Sequence, residues 1–188
     1  TLRRRTWRQR LGISEDEVLI LGVGRLTPQK NFIRFVKAVA LVHQERPIRS
    51  VVAGRDDGCL ESLRQQTVLS GLKPDALRFI GPVPRARELM CAADIFVLSS
   101  DYEGMPNVVL EAMAAGVPCV CTKVNGVSDL IEHGVNGFIT DHRAGALAEK
   151  TLVLVRDKEL REQMGARAAE RIEDSFDPGE TAARLWQL

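Results

Sequence analysis

The sequence of 188 residues lacks long apolar segments. No run approaches the roughly 20 residues that a membrane-spanning helix needs. The five arginines within the first ten residues are not followed by the apolar stretch of a secretory signal peptide. Both absences argue against a membrane-embedded or exported chain, so we expect a cytoplasmic protein.

The sequence also lacks an excess of charge of either sign. Its 26 basic and 25 acidic residues leave a formal charge of +1, so no overall field would draw it to nucleic acid. Only the arginine-rich segment 1–10 departs from this balance. It could contact anionic lipid or nucleic acid, but arginines without a clear amphipathic repeat are more typical of a solvated connector. We adopt the connector interpretation and expect no nucleic-acid partner.

Cysteine and histidine are scarce. The four cysteines, at 59, 91, 119 and 121, and the three histidines match neither a metal-binding spacing nor the density of a disulfide-linked secreted module. Cys119 and Cys121 alternate along an apolar run that is typical of a buried strand. We expect reduced core cysteines and no metal site.

Several well-known catalytic motifs are missing as well. Gly22-Val23-Gly24 has no third glycine at the spacing of a dinucleotide-binding loop, and no Gly-Lys-Ser or Gly-Lys-Thr marks a phosphate loop. No serine lies in a Gly-x-Ser-x-Gly elbow. These absences argue against nicotinamide, ATPase and serine-hydrolase chemistry, and we expect no cofactor.

What the sequence does contain is an alternation of short apolar runs and helical patterns. The runs read as nearly continuous Val, Ile and Leu, which is typical of parallel strands buried on both faces. We predict an α/β fold, a Rossmann-like three-layer domain that spans 1–188. The predicted strands are 18–23, 49–53, 77–80, 95–98, 117–121 and 137–139, and the predicted helices include 31–45 and 143–173, with a break near Asp157.

The nonapeptide from Glu103 to Glu111 carries the clearest chemistry, because two carboxylates bracket a turn that should lead into a helix. Pro106 is favoured in a first helical turn, so the free N–H groups of Asn107 and Val108 would face an anion such as a diphosphate. Glu111 would lie one turn further on the same face as Asn107. Because an ionised carboxylate only accepts hydrogen bonds, Glu111 suits a ribose diol.

Two cations follow the first predicted strand. Arg25 can grip phosphate oxygens with a planar fork, and Lys30 at the start of the next helix can add a mobile charge. Each charge-assisted bond contributes roughly 1.5 to 3 kcal/mol, so the pair could stabilise a departing diphosphate. Taken alone, both could equally be solvated surface charges.

Together these blocks resemble the C-terminal, nucleotide-binding half of a GT-B fold glycosyltransferase of the large retaining family four, the glycosyl transferases group 1. The resemblance covers most of the chain and rests on blocks in a fixed order. They are Gly24-Arg25-Leu26 with Lys30-Asn31, Phe79-Ile80-Gly81-Pro82-Val83, the run from Ala93 to Ser100, Glu103-Gly104-Met105-Pro106, the run from Glu111 to Pro118, and Asn136-Gly137-Phe138.

The resemblance implies roles for individual residues. Arg25 and Lys30 would bind the donor diphosphate beside Gly24, Glu103 would approach the donor sugar, and Glu111 would hold the ribose. Asp94 would be a structural residue at a strand start. The sugar and phosphate pocket would be lined by Gly104, Met105, Pro106, Asn107 and Val108, and the loop with Gly81 and Val83 would lie against the nucleobase.

One block departs from the family pattern. Where many members carry a glycine pair followed by Glu at a helix start, this chain has Asn125-Gly126-Val127-Ser128-Asp129. A shorter carboxylate, or none, would therefore occupy that position.

The implied activity is retaining transfer of a hexose-type sugar from a UDP- or GDP-sugar to an acceptor hydroxyl. The acceptor, which is a glycan, a lipid-linked sugar or a small molecule, would bind a preceding N-terminal domain, with peripheral contact at the inner membrane face as an option. Segment 1–14 would connect to that domain, and a helix at 175–188 would pack toward it. The alternatives are a non-catalytic nucleotide-binding module and a GT-B relative such as a sugar-nucleotide epimerase or a phosphorylase.

Overall fold

The computed structural model describes residues 1–175. Within that part of the chain, six parallel strands form one sheet with helices on both faces. In chain order the elements are α1 Leu2–Arg10, β1 Leu19–Val23, a 3-10 turn at Pro28–Lys30, α2 Phe32–Glu45, β2 Arg49–Ala53, α3 Leu60–Leu69, β3 Leu77–Phe79, α4 Ala86–Met90, β4 Ile95–Leu98, α5 Asn107–Ala114, β5 Cys119–Thr122, α6 Val127–Leu130, β6 Gly137–Thr140, α7 Ala144–Arg156 and α8 Lys158–Ser175.

All six predicted strands are confirmed, with ends that differ by at most two residues. The largest difference is at β5, which begins at Cys119 instead of residue 117. Pro118 has no N–H to donate to a strand ladder, so regular pairing starts after it. Its carbonyl still accepts a hydrogen bond from the Phe96 N–H at 3.0 Å.

The sheet has the strand order β3-β2-β1-β4-β5-β6, and every pairing is parallel. Alternate strand residues face opposite helical layers, as the pleat requires. Leu19 and Leu21 pack with the cluster that includes Val109 of α5, whereas Ile20 packs with the cluster that includes Phe35 of α2. The predicted three-layer, Rossmann-like α/β fold is confirmed.

The predicted helix at 31–45 is confirmed as α2, which begins one residue later because Asn31 caps it. The Asn31 side-chain oxygen accepts a hydrogen bond from the Arg34 N–H at 3.2 Å. The predicted break near Asp157 is also confirmed: α7 ends before it and α8 begins after it. The Asp157 carboxylate accepts a hydrogen bond from the Leu160 N–H at 2.9 Å, and so caps α8.

The arginine-rich N-terminal segment forms α1, and the expectation that its arginines are solvated is wrong for Arg8. Arg8 is only 1% exposed and donates to Asp94 Oδ2 at 3.0 Å, while Arg4, one turn earlier, donates to Asp94 Oδ1 at 2.8 Å. Asp94 Oδ2 also accepts from the Leu19 N–H at 2.7 Å. The expected structural role of Asp94 at a strand start is therefore confirmed. The arginines that do remain exposed are Arg3, Arg5 and Arg10.

The expected final helix at 175–188 lies outside the described residues except for Ser175, which ends α8. Among the helices that the structure describes, none is both long enough and apolar enough to cross a lipid bilayer.

Candidate functional site

The centre of the sheet provides a crevice at the carboxyl ends of its strands. From β1 the chain crosses to β2 on one side, whereas β4, which pairs with β1 on the other side, leads on to β5. Ligands of such sheets bind where the strand order reverses, because the loops after the two central strands diverge there. The loops that meet at this point are residues 24–31 after β1 and 99–106 after β4.

Lys30 and Glu103 form an ion pair between these two loops. Lys30 Nζ lies 2.6 Å from Glu103 Oε1. Both side chains are largely withdrawn from water, since Glu103 is 8% exposed and the Lys30 side chain 17% exposed. The Ser100 hydroxyl donates to the same Glu103 oxygen at 2.5 Å. A buried carboxylate needs such partners, because the cost of leaving its charge unmet is several kcal/mol, about 3 to 5 for a buried pair that loses one member.

The backbones of the two loops are also tied together. The Ser99 hydroxyl donates to the Lys30 carbonyl at 2.9 Å, and the Asp101 N–H donates to the Gln29 carbonyl at 2.9 Å. The Gln29 side-chain amide donates to the Tyr102 carbonyl at 3.0 Å. These bonds fix the positions from which Lys30 and its partner carboxylate extend.

A hydrogen-bonded cluster of Asn31, Arg34 and Asp101 supports the start of α2. Asn31 has φ of 42°, in the left-handed region, and its amide donates to Asp101 Oδ2 at 3.0 Å. Arg34 donates to Asp101 Oδ1 at 2.6 Å and to the Ser99 carbonyl at 2.6 Å. Burial raises the pKa of the Asp101 carboxyl, but the bonds from Arg34 and Asn31 outweigh it and hold that pKa below its ordinary value. The Asp101 carboxyl of this cluster is therefore ionised at neutral pH.

Arg25 lies at the same strand end as Lys30 but holds a different carboxylate. Its side chain is 61% exposed, and its Nη1 atom lies 3.4 Å from Asp57 Oδ2. Arg55 also binds Asp57, and its hydrogen bond keeps the pKa of that carboxyl below the ordinary value. Because the Arg25 pair is long and solvated, the guanidinium is easily diverted to another anion.

Glycines let the loops after β1, β2 and β3 approach closely. A Cβ at Gly54 would lie 1.7 Å from the Gly24 carbonyl oxygen, and the Gly54 N–H donates to the Gly81 carbonyl at 2.9 Å. Gly81 has φ of 71°. The predicted site glycines 24 and 81 are thus brought together through Gly54, which the sequence analysis missed. Its signal is a glycine placed directly after a strand.

The start of α5 differs from the prediction. Pro106 precedes the helix with φ of −80° and ψ of 70°, an inverse γ-turn in which the Asn107 N–H donates to the Met105 carbonyl at 2.9 Å. The Asn107 N–H is therefore not free, as the sequence analysis expected. Within the described residues, the N–H groups of Val108, Gly104 and Met105 have no partner, so donors for an anion remain at this helix start.

The block that departs from the family pattern packs against the same turn. Gly126 has φ of 76°, and a Cβ there would lie 2.8 Å from Pro106 Cδ and 3.2 Å from the Gly104 carbonyl oxygen. Asp129 is exposed on α6. The sequence predicted a shorter carboxylate, or none, at this block, and the residue that packs closely against the turn is Gly126.

Glu111 lies one turn into α5, half-buried, and its carboxylate makes no hydrogen bond to any described residue. Val83 and Val108 both pack at the edge of the same apolar cluster. Of the predicted site residues, Lys30 is bonded directly to Glu103. Gly24 lies beside Lys30, since a Cβ added at Gly24 would be 3.4 Å from the Lys30 side chain. Arg25 and Glu111 make no comparable contact with that pair.

A second cavity, of about 490 Å³, lies at the opposite side of the sheet, beside the amino ends of its strands. Most of its charged groups pair within the protein: Arg4 is bound to Glu15 and Asp94, Glu17 is bound to Arg49, and Lys158 faces Glu162 at 3.7 Å. Arg4 and Lys158 would have to leave these carboxylates to bind an anionic ligand, so the crevice at the carboxyl ends is the better candidate.

Comparisons with known proteins agree with this fold. The family model described as glycosyl transferases group 1 matches residues 3–171. An N-acetyl-alpha-D-glucosaminyl L-malate synthase of Bacillus anthracis is 31% identical over 166 residues, 88% of this chain and 43% of that protein. A D-inositol 3-phosphate glycosyltransferase of Pseudarthrobacter chlorophenolicus is 34% identical over 170 residues, 87% of this chain and 40% of that protein.

Among solved structures, the Anabaena protein HepE in complex with UDP-glucose has a TM-score of 0.86 and 27% identity. The match covers 100% of this chain and 53% of that one. The chain spans less than half the length of the two curated relatives above.

Proposed function

Because this chain belongs to the glycosyl transferases group 1 family, we propose that its central crevice binds a nucleoside diphosphate sugar. The proposed reaction is retaining transfer of a hexose-type sugar to an acceptor hydroxyl. The domain supplies the donor site, and residues 1–188 form one donor-binding domain of a longer enzyme.

The observation that carries this proposal is the ion pair of Lys30 and Glu103 at the point where the strand order reverses. It combines a cation suited to phosphate with a carboxylate suited to sugar hydroxyls, on two adjacent loops. A sugar diphosphate presents both groups within a few bonds of each other. The charges of the pair are thus complementary to the two ends of the donor that it is proposed to bind.

The diphosphate is assigned to the space between Lys30, Arg25 and the start of α5. Lys30 keeps two donor hydrogens after its bond to Glu103, and Arg25 is exposed and weakly held. The unpartnered N–H groups near Pro106 add donors at the positive end of the α5 dipole. As the bond to the sugar breaks, negative charge develops on the phosphate, and these fixed donors stabilise it.

The nucleoside is assigned to the neighbouring loops. Glu111, whose carboxylate is free of protein partners among the described residues, would accept the ribose hydroxyls. The loop that contains Gly81 and Val83 would lie against the base, beside Gly24. We propose UDP or GDP as the nucleotide, and the UDP-glucose complex of the Anabaena protein favours UDP.

The acceptor is assigned to a part of the enzyme beyond this domain. The curated relatives are more than twice as long as the matched region, and we propose that a second domain binds a glycan, a lipid-linked sugar or a small molecule. The product distinguishes this proposal from the alternatives: a glycosylated acceptor indicates a transferase, and an isomerised donor sugar indicates an epimerase.

Calorimetric titration with UDP, GDP and ADP tests the donor site. We expect saturable binding of one nucleotide, and a loss of about tenfold in affinity for each of Arg25→Ala, Lys30→Ala and Glu111→Ala, because each removes a charge-assisted hydrogen bond. Arg25→Ala is the most informative of the three, since its exposed pair with Asp57 contributes little to folding.

Lys37→Ala is the matched control. Lys37 is an exposed lysine on α2 and has no proposed ligand contact. Equal losses in Lys37→Ala and Arg25→Ala would point to a nonspecific effect of charge. If no nucleotide binds, or if binding survives all three substitutions, the proposed function is wrong.

A further inference from the structure

Ser100 is a buried residue next to the proposed sugar-binding carboxylate. It lies two residues beyond the end of β4 and is 0% exposed. Its hydroxyl donates to Glu103 Oε1 at 2.5 Å, and its carbonyl accepts a hydrogen bond from the Thr122 hydroxyl at 2.6 Å. Thr122 ends the neighbouring strand β5. The backbone of the serine is therefore tied to the sheet.

The two oxygens of the Glu103 carboxylate have different surroundings. Oε1 accepts from both Ser100 and Lys30. Oε2 has no partner among the described residues, and it does not belong to the side-chain atoms that are fully buried without a partner. One oxygen is thus saturated by the protein, while the other stays accessible and can only accept hydrogen bonds.

Lys30 alone would not impose this orientation. Its ammonium lies at the end of a flexible stem, and a salt bridge to one oxygen allows the carboxylate to rotate or to exchange its oxygens. The serine hydroxyl donates from a short side chain whose backbone is bonded to β5, so the two bonds together define the carboxylate plane. Precise placement of this kind governs how well a site distinguishes one ligand geometry from another.

We propose that Ser100 is a positioning residue that holds Glu103 Oε1 and directs Oε2 to a hydroxyl of the donor sugar. The proposal rests on the proposed function. Ser100 itself contacts no ligand, and its effect reaches the sugar through Glu103. It should therefore influence the extra affinity that the sugar adds, and leave the affinity for the nucleotide alone nearly unchanged.

The test compares paired ligands: UDP with UDP-glucose and UDP-N-acetylglucosamine, and GDP with GDP-mannose. The sugar gain is the ratio of Kd for the nucleotide to Kd for its sugar derivative. We expect Ser100→Ala to lower that gain roughly five- to tenfold, as loss of a bond to a charged group implies, and to change the Kd of the nucleotide by less than about twofold.

Two further variants separate the hydroxyl from its surroundings. Ser100→Thr keeps the donor and should retain most of the sugar gain, whereas equal losses in Ser100→Ala and Ser100→Thr would mean that shape matters, which overturns the proposal. Ser50→Ala is the matched control: Ser50 is a buried serine of β2, 1% exposed, whose hydroxyl has no partner within the described residues. It should leave both affinities unchanged.

The outcomes distinguish the two levels of the argument. A sugar gain that is the same in Ser100→Ala and the unsubstituted protein overturns the role of Ser100 and leaves the donor site intact. The absence of any sugar gain in the unsubstituted protein also overturns it. Failure to bind either UDP or GDP contradicts the proposed function itself.

Discussion

At the scale of single residues, the sequence suggested side chains for the candidate site but not how they are paired. Lys30 and Glu103 were assigned to different parts of a donor, and the structure places them 2.6 Å apart. They are separated by 73 positions in the chain, and no local pattern reports a contact over that distance. The sequence analysis named Ser100 only as the last residue of the Ala93–Ser100 block of the family resemblance, because a serine beside a strand is compatible with many roles.

The ion pair should also contribute to stability. In Lys30→Met the Glu103 carboxylate stays largely buried without its cation, so we expect a loss of roughly 2 to 4 kcal/mol in the free energy of unfolding at neutral pH. The double variant Lys30→Met, Glu103→Gln removes the unmet charge and should recover part of that loss. Urea denaturation of Lys30→Met, of Glu103→Gln and of the double variant measures the coupling energy between the two side chains.

Lys37→Met is the control for this cycle, because Lys37 is exposed on α2. Its effect should stay within about 0.5 kcal/mol. Additive effects of the Lys30 and Glu103 substitutions would show that the two groups do not interact in solution.

At the scale of elements, the six strands follow from their continuous apolar runs, and α2, α7 and α8 follow from their helical patterns. Two helix starts do not follow from such patterns. The arginines of α1 gave no apolar face to read, so the burial of Arg8 against Asp94 was missed. The start of α5 was shifted because Pro106 was read as the first helical residue. Its ψ of 70° makes it a turn residue instead. The first error concerns a contact with a residue far along the chain, and the second concerns a local turn directly before the helix.

The start of α2 offers a test of the loop that carries Lys30. Asn31 is the only residue other than glycine with positive φ in the described part of the chain. Asn31→Ala keeps the unfavourable backbone geometry and loses both the helix cap and the bond to Asp101, so we expect a loss of about 2 kcal/mol. Thermal or urea unfolding measures it.

Asn31→Gly is the informative comparison. Glycine loses the same side-chain bonds but adopts positive φ readily, so it should be more stable than the alanine variant by about 1 kcal/mol. If alanine and glycine are equally destabilising, the left-handed conformation of Asn31 is not what distinguishes this loop.

At the scale of the whole molecule, the class of fold could be predicted because buried parallel strands read as continuous apolar runs. The order of the strands could not be derived from those runs, since it depends on which strands pair across the sheet. That order places the reversal between β1 and β4, and so decides that the loops with Lys30 and Glu103 face one crevice. The segment 176–188 lies outside the described residues.

The contrast between the amino ends and the carboxyl ends of the strands is also a property of the whole molecule. The cavity at the amino ends of the strands is lined mostly by charged side chains that pair within the protein. The crevice at the carboxyl ends holds donors and acceptors that have no protein partner among the described residues, notably the Val108 N–H and the Glu111 carboxylate. Unsatisfied groups of both kinds suit a ligand that is anionic at one end and rich in hydroxyls at the other.

The most direct measurement is a crystal structure of the protein in complex with UDP or with the nucleotide that binds best in solution. We expect the diphosphate between Lys30, Arg25 and the start of α5, with the ribose hydroxyls on Glu111. A nucleotide bound in the cavity beside Arg4 and Lys158, or in the crevice with its diphosphate away from Lys30, would contradict the account.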